Sequence, residues 1–273
     1  MPLLTLTTDI GQQDFLVGAI KGQLYSAIPN LTIADITHYL PQDNFVHAAY
    51  ICNNAFKYYP NDTFHLILLN VFDAKTGHFV LSKFNNQCII CPDNGIISMI
   101  TGSVPEQSVV LPIIHAKTLI EITQVLTNTI AALNNGNSMI ELGTQGLTIL
   151  EKSMMKPMIG NDWIEGQILF IDNFENAVIN ISKEEFEKER KGRKFKIVFK
   201  RSEVVDKISD NYAAVVEGEP LAWFNSAGYL ELSINKGNVA GLFGLENFKE
   251  KMHQQGTAVQ NKWFYQTVRV FFE

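Results

Sequence analysis

Short, mainly apolar runs alternate with amphipathic stretches through the first half of the chain, then give way to closely spaced strand-like runs. Leu3 to Thr8, Leu31 to Ile36, Phe64 to Val71, Gln87 to Cys91 and Val109 to Ile114 are each bounded by Asp, Asn, Gly or Pro. Runs of this length without polar alternation predict strands buried on both faces, as in a parallel sheet. Between them the period lengthens. Asp14 to Ile28 carries Phe15, Gly18, Ala19 and Gly22 on one stripe, flanked by Leu16 and Ile20, and Pro29-Asn30 stops it. Asp43, just after Pro41, reads as the N-cap of a helix through Tyr59 that Pro60 closes. Thr118 to Leu133 predicts a third helix, ended by Asn134-Asn135-Gly136.

Beyond about residue 150 the pattern changes. Met154-Met155-Lys156-Pro157-Met158 has no period and leads into turn residues, so it reads as part of a linker over residues 152–162. Gln167 to Asp172, Ala177 to Ile181, Lys194 to Arg201, Tyr212 to Glu217, Leu221 to Asn225, Tyr229 to Ile234 and Trp263 to Phe272 follow as predicted strands. Lys183 to Arg193, rich in Glu, Lys and Arg, reads as a solvated helix and not as a nucleic-acid patch. The expectation is an α/β domain over residues 1–153 with a mainly parallel sheet, then an all-β, barrel-like domain over residues 162–273.

Composition narrows the function classes. At 273 residues, 46% hydrophobic and 18% charged, the chain can bury two ordinary cores. A net charge of -6 gives no electrostatic footprint for nucleic acid or an anionic membrane, which favours small-molecule chemistry. No apolar run approaches the roughly 20 residues of a membrane span, and Met1-Pro2-Leu3 does not open a signal peptide. A cytoplasmic protein is expected. Three cysteines are too few for a disulfide framework. Cys88 and Cys91 have metal-like spacing but no completing ligands, and an extended chain points them to opposite sides, so structural thiols and no metal are expected.

The first candidate for chemistry is Asp9. It ends the run Leu3-Leu4-Thr5-Leu6-Thr7-Thr8 and precedes Ile10-Gly11, which puts a carboxylate at the carboxyl end of a strand, where open α/β sheets build ligand sites. An ionised carboxylate there offers acceptors for a ribose diol or a metal; taken alone, it serves equally as a turn or cap.

Asp9-Ile10-Gly11 with Asp14, then Val17-Gly18 with Lys21-Gly22, then Ile33-Ala34-Asp35-Ile36-Thr37-His38, resembles the opening of the S-adenosyl-L-methionine (SAM) hydroxide adenosyltransferase family, which also contains SAM-dependent fluorinases and chlorinases. Cys91-Pro92-Asp93-Asn94-Gly95, Ile171-Asp172-Asn173-Phe174-Glu175-Asn176 through Asn180-Ile181, and Asn225-Ser226-Ala227-Gly228-Tyr229-Leu230-Glu231 through Asn238-Val239-Ala240 continue the resemblance in order. It implies an N-terminal α/β domain followed by a β-barrel, and a homotrimer with active sites shared between subunits. The implied reaction displaces methionine from the ribose C5′ of SAM. No cofactor is implied beyond SAM itself as substrate or ligand. By the resemblance, Asp9 accepts the ribose hydroxyls, and Asp172 and Asn176 hold the methionine ammonium and carboxylate. Asn225, Ser226 and the backbone around Asn238 and Ala240 surround the adenine.

The water-activating residues depart from the family pattern. Hydrolytic members carry Asp-Pro-Gly-Val-Gly-Thr-x-Arg and, later, Phe-His-Gly-Arg-Asp. Here Asn70 replaces the Asp and Gly77 the Arg, in the run from Leu69 to His78. No Phe-His-Gly-Arg-Asp precedes Gly136; its His falls near Glu121, or near His115 with a gap. The family glycine between Phe174 and Asn176 is Glu175. An amide orients a water but takes no proton from it. Two functions stay open: a SAM hydrolase in which Asp73, His78 or His115 compensates beside Asn70, and a non-catalytic protein that binds SAM or adenosine. A halogenase is the weaker third.

Overall fold

The computed structural model describes residues 1–42, 44–72, 77–113, 116–200, 203–244 and 266–273. The chain divides into two compact units, Met1–Met154 and Met155–Glu273. The first contains β1 (Leu3–Thr8), α1 (Leu16–Ala27), β2 (Thr32–Thr37), α2 (Phe45–Phe56), β3 (Phe64–Leu68), β4 (His78–Phe84), β5 (Gln87–Pro92), α3 (Ile96–Thr101), β6 (Ser108–Pro112), α4 (Leu119–Asn134) and α5 (Met139–Leu142). Its sheet runs β2-β1-β3-β5-β4-β6, with β2, β1, β3 and β5 parallel and β4 antiparallel to both its neighbours.

Burial of both sheet faces explains the mainly apolar runs. On β3, Leu66 and Leu68 join Leu4, Leu6, Ile20, Leu24, Leu126 and Ile130, the cluster beneath α1 and α4. Ile67 and Leu69 face the other way, with Ala48, Cys52, Ile89, Ile97 and Ile100, beneath α2 and α3. Both faces are covered, so no position can be polar for solvent's sake. Cys88 packs with the first cluster and Cys91 with the second, which is the strand period acting on their spacing.

Several elements differ from the sequence expectations. The strand β4 is absent from them; its signal is the pair Asn85-Asn86, both with positive φ (48° and 59°), a hairpin turn from β4 into β5. α1 begins at Leu16, whose N–H is taken by Asp14 Oδ1 at 2.9 Å. α2 is capped by Asn44, whose side chain accepts from His47 N at 3.0 Å, and ends at Phe56 rather than Tyr59. The expected cap Asp43 lies outside the described residues.

The second unit contains β7 (Met158–Ile159), β8 (Trp163–Ile171), β9 (Ala177–Ser182), α6 (Lys183–Arg190), β10 (Phe195–Lys200), β11 (Glu203–Val205), β12 (Pro220–Phe224), β13 (Tyr229–Ile234), α7 (Val239–Leu242) and β14 (Thr267–Phe272). Its antiparallel sheet runs β11-β10-β14-β8-β9-β13-β12, with β7 on β8, and a bridge from Ile208 to Ala222 of β12 nearly closes it into a barrel. Ile164, Ile179, Ile197, Leu232, Val268 and Val270 fill the interior around a fully buried Phe186. α6 starts with a capping box, Ser182 and Glu185, and carries Lys188 and Arg190 in its last turn, where cations suit the helix dipole. Tyr212 to Glu217 is not the expected strand. Tyr212–Ala214 is a 3₁₀ turn, opened by Asn211, whose side chain accepts from Ala213 N. Trp263, the expected start of the last strand, lies outside the described residues.

The barrel turns a corner along β8. This strand pairs with β14 over Trp163–Gln167 and with β9 from Ile168 onward. At Gly166 a β-carbon would fall 2.6 Å from Ile179 and 2.7 Å from Asn180 Oδ1. Ile179, Ile181 and the Asn180 amide share that space, and the amide accepts from Gln167 N at 2.6 Å and donates to Met155 O at 2.8 Å. No helix among the described residues is long and apolar enough to cross a membrane.

Candidate functional site

At the carboxyl ends of the parallel strands, β1 and β3 run in register to Thr8 and Leu68, and each then delivers one polar residue. Asp9 follows β1 and Asn70 follows β3, 61 positions apart in sequence. Asp9 Oδ2 accepts from Asn70 N at 2.7 Å, while Asp9 N donates to Leu68 O. Asn70 has φ 50°, a left-handed conformation that Asn tolerates better than most residues. Burial raises the Asp9 carboxyl above its ordinary range, and the Asn70 N–H works against that rise. Asp9 is therefore a partly desolvated acceptor with lone pairs beyond those this contact uses.

The neighbouring strand ends hold it in place. Thr8 Oγ1 meets His38 Nδ1 at 3.0 Å, and His38 O accepts from Gly11 N at 2.7 Å. His38 Nε2 lies 3.3 Å from Asp35 Oδ1, and Asp35 also pairs with Lys21 at 2.6 Å. Burial holds the His38 imidazole below its usual range, against the pull of Asp35. On the other side, Asn94 donates to Leu69 O at 2.9 Å, and Asp93 accepts from Leu150 N at 2.9 Å. His78 opens β4 at this same edge, where its carbonyl accepts from Asp93 N. Glu121, where counting places the family histidine, accepts from the N–H groups of Lys117 and Thr118 in the capping box of α4. Asp73 and His115 lie outside the described residues.

In the second unit the turn between β8 and β9 is built by Asp172. Its Oδ1 accepts from Phe174 N and Asn176 N, both at 2.8 Å, and its Oδ2 from Asn176 Nδ2 at 2.9 Å. Asn176 Nδ2 also reaches the Tyr212 hydroxyl at 3.2 Å. Tyr212 donates to Glu231 Oε1 at 2.5 Å, which also accepts from Trp223 Nε1 at 3.0 Å, while Glu231 Oε2 accepts from Asn225 Nδ2 at 3.0 Å. Burial, and then the Glu231 carboxylate, hold the Tyr212 phenol well above its ordinary range. Asn225 Oδ1 accepts from Ala227 N and Tyr229 N, so this side chain shapes the hairpin between β12 and β13. Ser226 sits exposed at its tip. Asn238 caps α7 through Gly241 N at 2.7 Å, and Ala240 N donates to Glu175 O at 2.9 Å, which ties this segment to the Asp172 turn.

The structure thus joins Asp9 to Asn70, Asp172 to Asn176, and both of the latter to Asn225 through Tyr212 and Glu231. Sequence reasoning gives no role to Tyr212, Trp223 or Glu231. Glu231 lies within a quoted motif, and a charged residue inside the strand run Tyr229 to Ile234 is the available signal. Among the described residues, no group of three or more His, Cys, Asp or Glu side chains is arranged to hold a metal ion.

Comparison with known proteins gives this arrangement a lineage. The Methanocaldococcus jannaschii protein named (R)-S-adenosyl-L-methionine hydrolase is 22% identical over 191 residues, 68% of this chain and 69% of its own. The Thermus thermophilus protein of the same name is 25% identical over 260 residues, covering 88% and 94%. Crystal structures of an uncharacterized conserved protein from Thermotoga maritima (TM-score 0.78, covering 98% of this chain and 99% of that one) and a conserved hypothetical protein from Thermus thermophilus (TM-score 0.69, covering 100% of both chains) share the fold at 20% identity. The family profile of the SAM hydroxide adenosyltransferase N-terminal domain matches residues 4–143, and that of the C-terminal domain matches residues 166–250. Strand-end carboxylate, antiparallel barrel and both profiles agree: this chain belongs to the SAM hydroxide adenosyltransferase family.

Proposed function

We propose that this protein binds SAM and transfers its adenosyl group to water, releasing adenosine and methionine, at a rate below that of members with a positioned base. The carrying observation is Asp9, a strand-end carboxylate with one N–H donor from Asn70 and lone pairs to spare for a ribose diol. The Asp172 turn supplies a second carboxylate, suited to the ligand ammonium. In the reaction a water oxygen bonds to C5′ as the C5′–S bond breaks. The sulfur leaves as a neutral thioether, and the water gives up a proton to solvent or to a base.

Because the leaving group needs no protonation, positioning and desolvation carry much of the acceleration. A general base adds roughly 10²- to 10⁴-fold. Asn70 cannot serve as one, and Asp73, His78 and His115 are the candidates in its place. Phe15, Phe72 and Phe174 are 72%, 69% and 72% exposed beside these segments. Such exposed aromatics support a reading in which the segments are covered in a homotrimer with shared sites. Light scattering that reports a monomer at micromolar concentration removes the shared site.

The deciding assay is chromatographic detection of adenosine from SAM, against a no-protein control and Asp9→Ala. Turnover above the control that Asp9→Ala abolishes is expected, with Asn70→Asp restoring little because the family Arg position is Gly77. Adenosine at the spontaneous rate with SAM binding intact makes the protein a non-catalytic binder.

A further inference from the structure

Glu231 is only 3% exposed, and each of its hydrogen-bond partners is a donor. The Tyr212 hydroxyl, Trp223 Nε1 and Asn225 Nδ2 approach it at 2.5, 3.0 and 3.0 Å, with the Ser233 hydroxyl at 3.5 Å. A carboxyl group used only as an acceptor is in its ionised form. None of the ion pairs among the described residues includes it. Neutral donors spread a buried charge without cancelling it, and a buried charge without a countercharge is costly to keep. A neutral amide in its place would turn its NH2 toward a donor, so these partners call for a carboxylate, with both oxygens accepting.

The charge is linked to the ligand-binding turn by a bridge of two side chains. Tyr212 accepts from Asn176 Nδ2 at 3.2 Å while donating to Glu231, and Asn176 Nδ2 also donates to Asp172 Oδ2 at 2.9 Å. Two carboxylates therefore stand at the ends of one phenol and one amide, and both charges have the same sign. SAM carries a sulfonium, an ammonium and one carboxylate, a net positive charge. Its demethylated thioether, S-adenosylhomocysteine, is net neutral.

We propose that Glu231 is a positioning residue that makes the Asp172–Asn176 turn selective for a cationic adenosyl ligand over its neutral thioether analogue. It does so by holding the Asn176 amide through Tyr212 and by adding an uncompensated negative charge behind it. This rests on the SAM reading above. Discrimination of this kind favours loading with substrate over a thioether that lacks the leaving group's charge.

Calorimetric titration of SAM and S-adenosylhomocysteine into wild type, Glu231→Gln, Tyr212→Phe and Tyr212→Lys tests it. Wild type should prefer SAM. Glu231→Gln should lower SAM affinity about tenfold, the scale of one charge acting over several ångströms of partly screened interior, and thioether affinity less than about twofold. Tyr212→Phe keeps the charge and should weaken both ligands alike. Tyr212→Lys sets a countercharge on an intact Glu231 and should collapse the preference as Glu231→Gln does, so the test survives if Glu231→Gln does not fold. Equal affinities in wild type, or the same preference in Tyr212→Phe and Tyr212→Lys, overturns the proposal. Thioether and SAM binding that are both indifferent to Asp9→Ala strikes instead at the SAM reading itself.

Discussion

Asp9 and Asp172 are both carboxylates in turns that follow strands, yet their acceptor capacity is used differently. Asp9 takes one hydrogen bond from another residue, the Asn70 N–H, and burial raises its pKa. Asp172 takes three, from two backbone N–H groups and the Asn176 amide, all inside its own turn. The first is a partly desolvated carboxylate with acceptor capacity left open, at a cost to the fold. The second is a structural group whose remaining lone pairs are oriented by that structure. Their surroundings differ likewise, since backbone contacts hold the first and a side-chain network holds the second.

The largest expected effect separates the two regions by acid. Burial pushes His47 down to about 3 and His65 to about 4, and both pack in the first unit, His65 stacked on Phe56 with Thr5 at its Nδ1. Their folded pKa values lie below the unfolded value of about 6.5, so below that pH the unfolded chain binds more protons. Their contribution is present above about pH 6.5 and is lost progressively down to about pH 4 for His65 and about pH 3 for His47. By about pH 5 each should cost roughly 2 kcal/mol. Urea unfolding at about pH 7 and about pH 5 measures the loss, and His65→Gln should remove about half of it.

Next in size, Asp172→Ala strands three donors and should cost about 3 kcal/mol of stability. Asp9→Ala frees one backbone N–H beside solvent and should cost less than about 1 kcal/mol. Comparable losses in the two denaturation curves would erase the contrast. In ligand binding the order reverses for Asp9→Ala, where we expect roughly 1.5 to 3 kcal/mol, about ten- to a hundredfold, by calorimetry with SAM. The smallest effect lies in the Asp172 turn itself. Glu175 sits at φ 63° with a buried Oε2 that has no hydrogen-bond partner, and an L residue there costs about 1 to 2 kcal/mol. Glu175→Gly should raise thermal stability by about 1 kcal/mol after the entropy of glycine is deducted, and an unchanged melting temperature would show that the turn bears no strain.

Much of this architecture is legible where one physical signal dominates. Runs such as Phe64 to Leu68 are apolar apart from His65, which finds its partner in Thr5, because both faces are buried, and the parallel sheet follows. Asp9 is legible because a strand end and a glycine turn fix where its carboxylate goes. The β4 strand escapes notice because its turn, Asn85-Asn86, lacks the glycine that usually marks a hairpin. Tyr212 to Glu217 looks like a strand by residue type, yet Asn211 bends the chain and Glu231 draws the phenol inward. Of the Glu231 network, the sequence shows only a charged residue inside a strand run, not its partners. Tyr212, Trp223, Asn225 and Glu231 meet only once β12 and β13 pair, with Trp223 directly opposite Glu231, and no local pattern records that register.

Gly166 extends the lesson to a side chain that is missing. Where β8 leaves β14 for β9, Ile179, the Asn180 amide and Ile181 together fill the volume that a β-carbon at 166 would need. Any side chain at position 166 must therefore displace two isoleucines along with the amide at 180, and with the amide goes the tether to Met155 O, the first residue of the second unit. The corner of the barrel is thus held by a vacancy that three consecutive residues of β9 share.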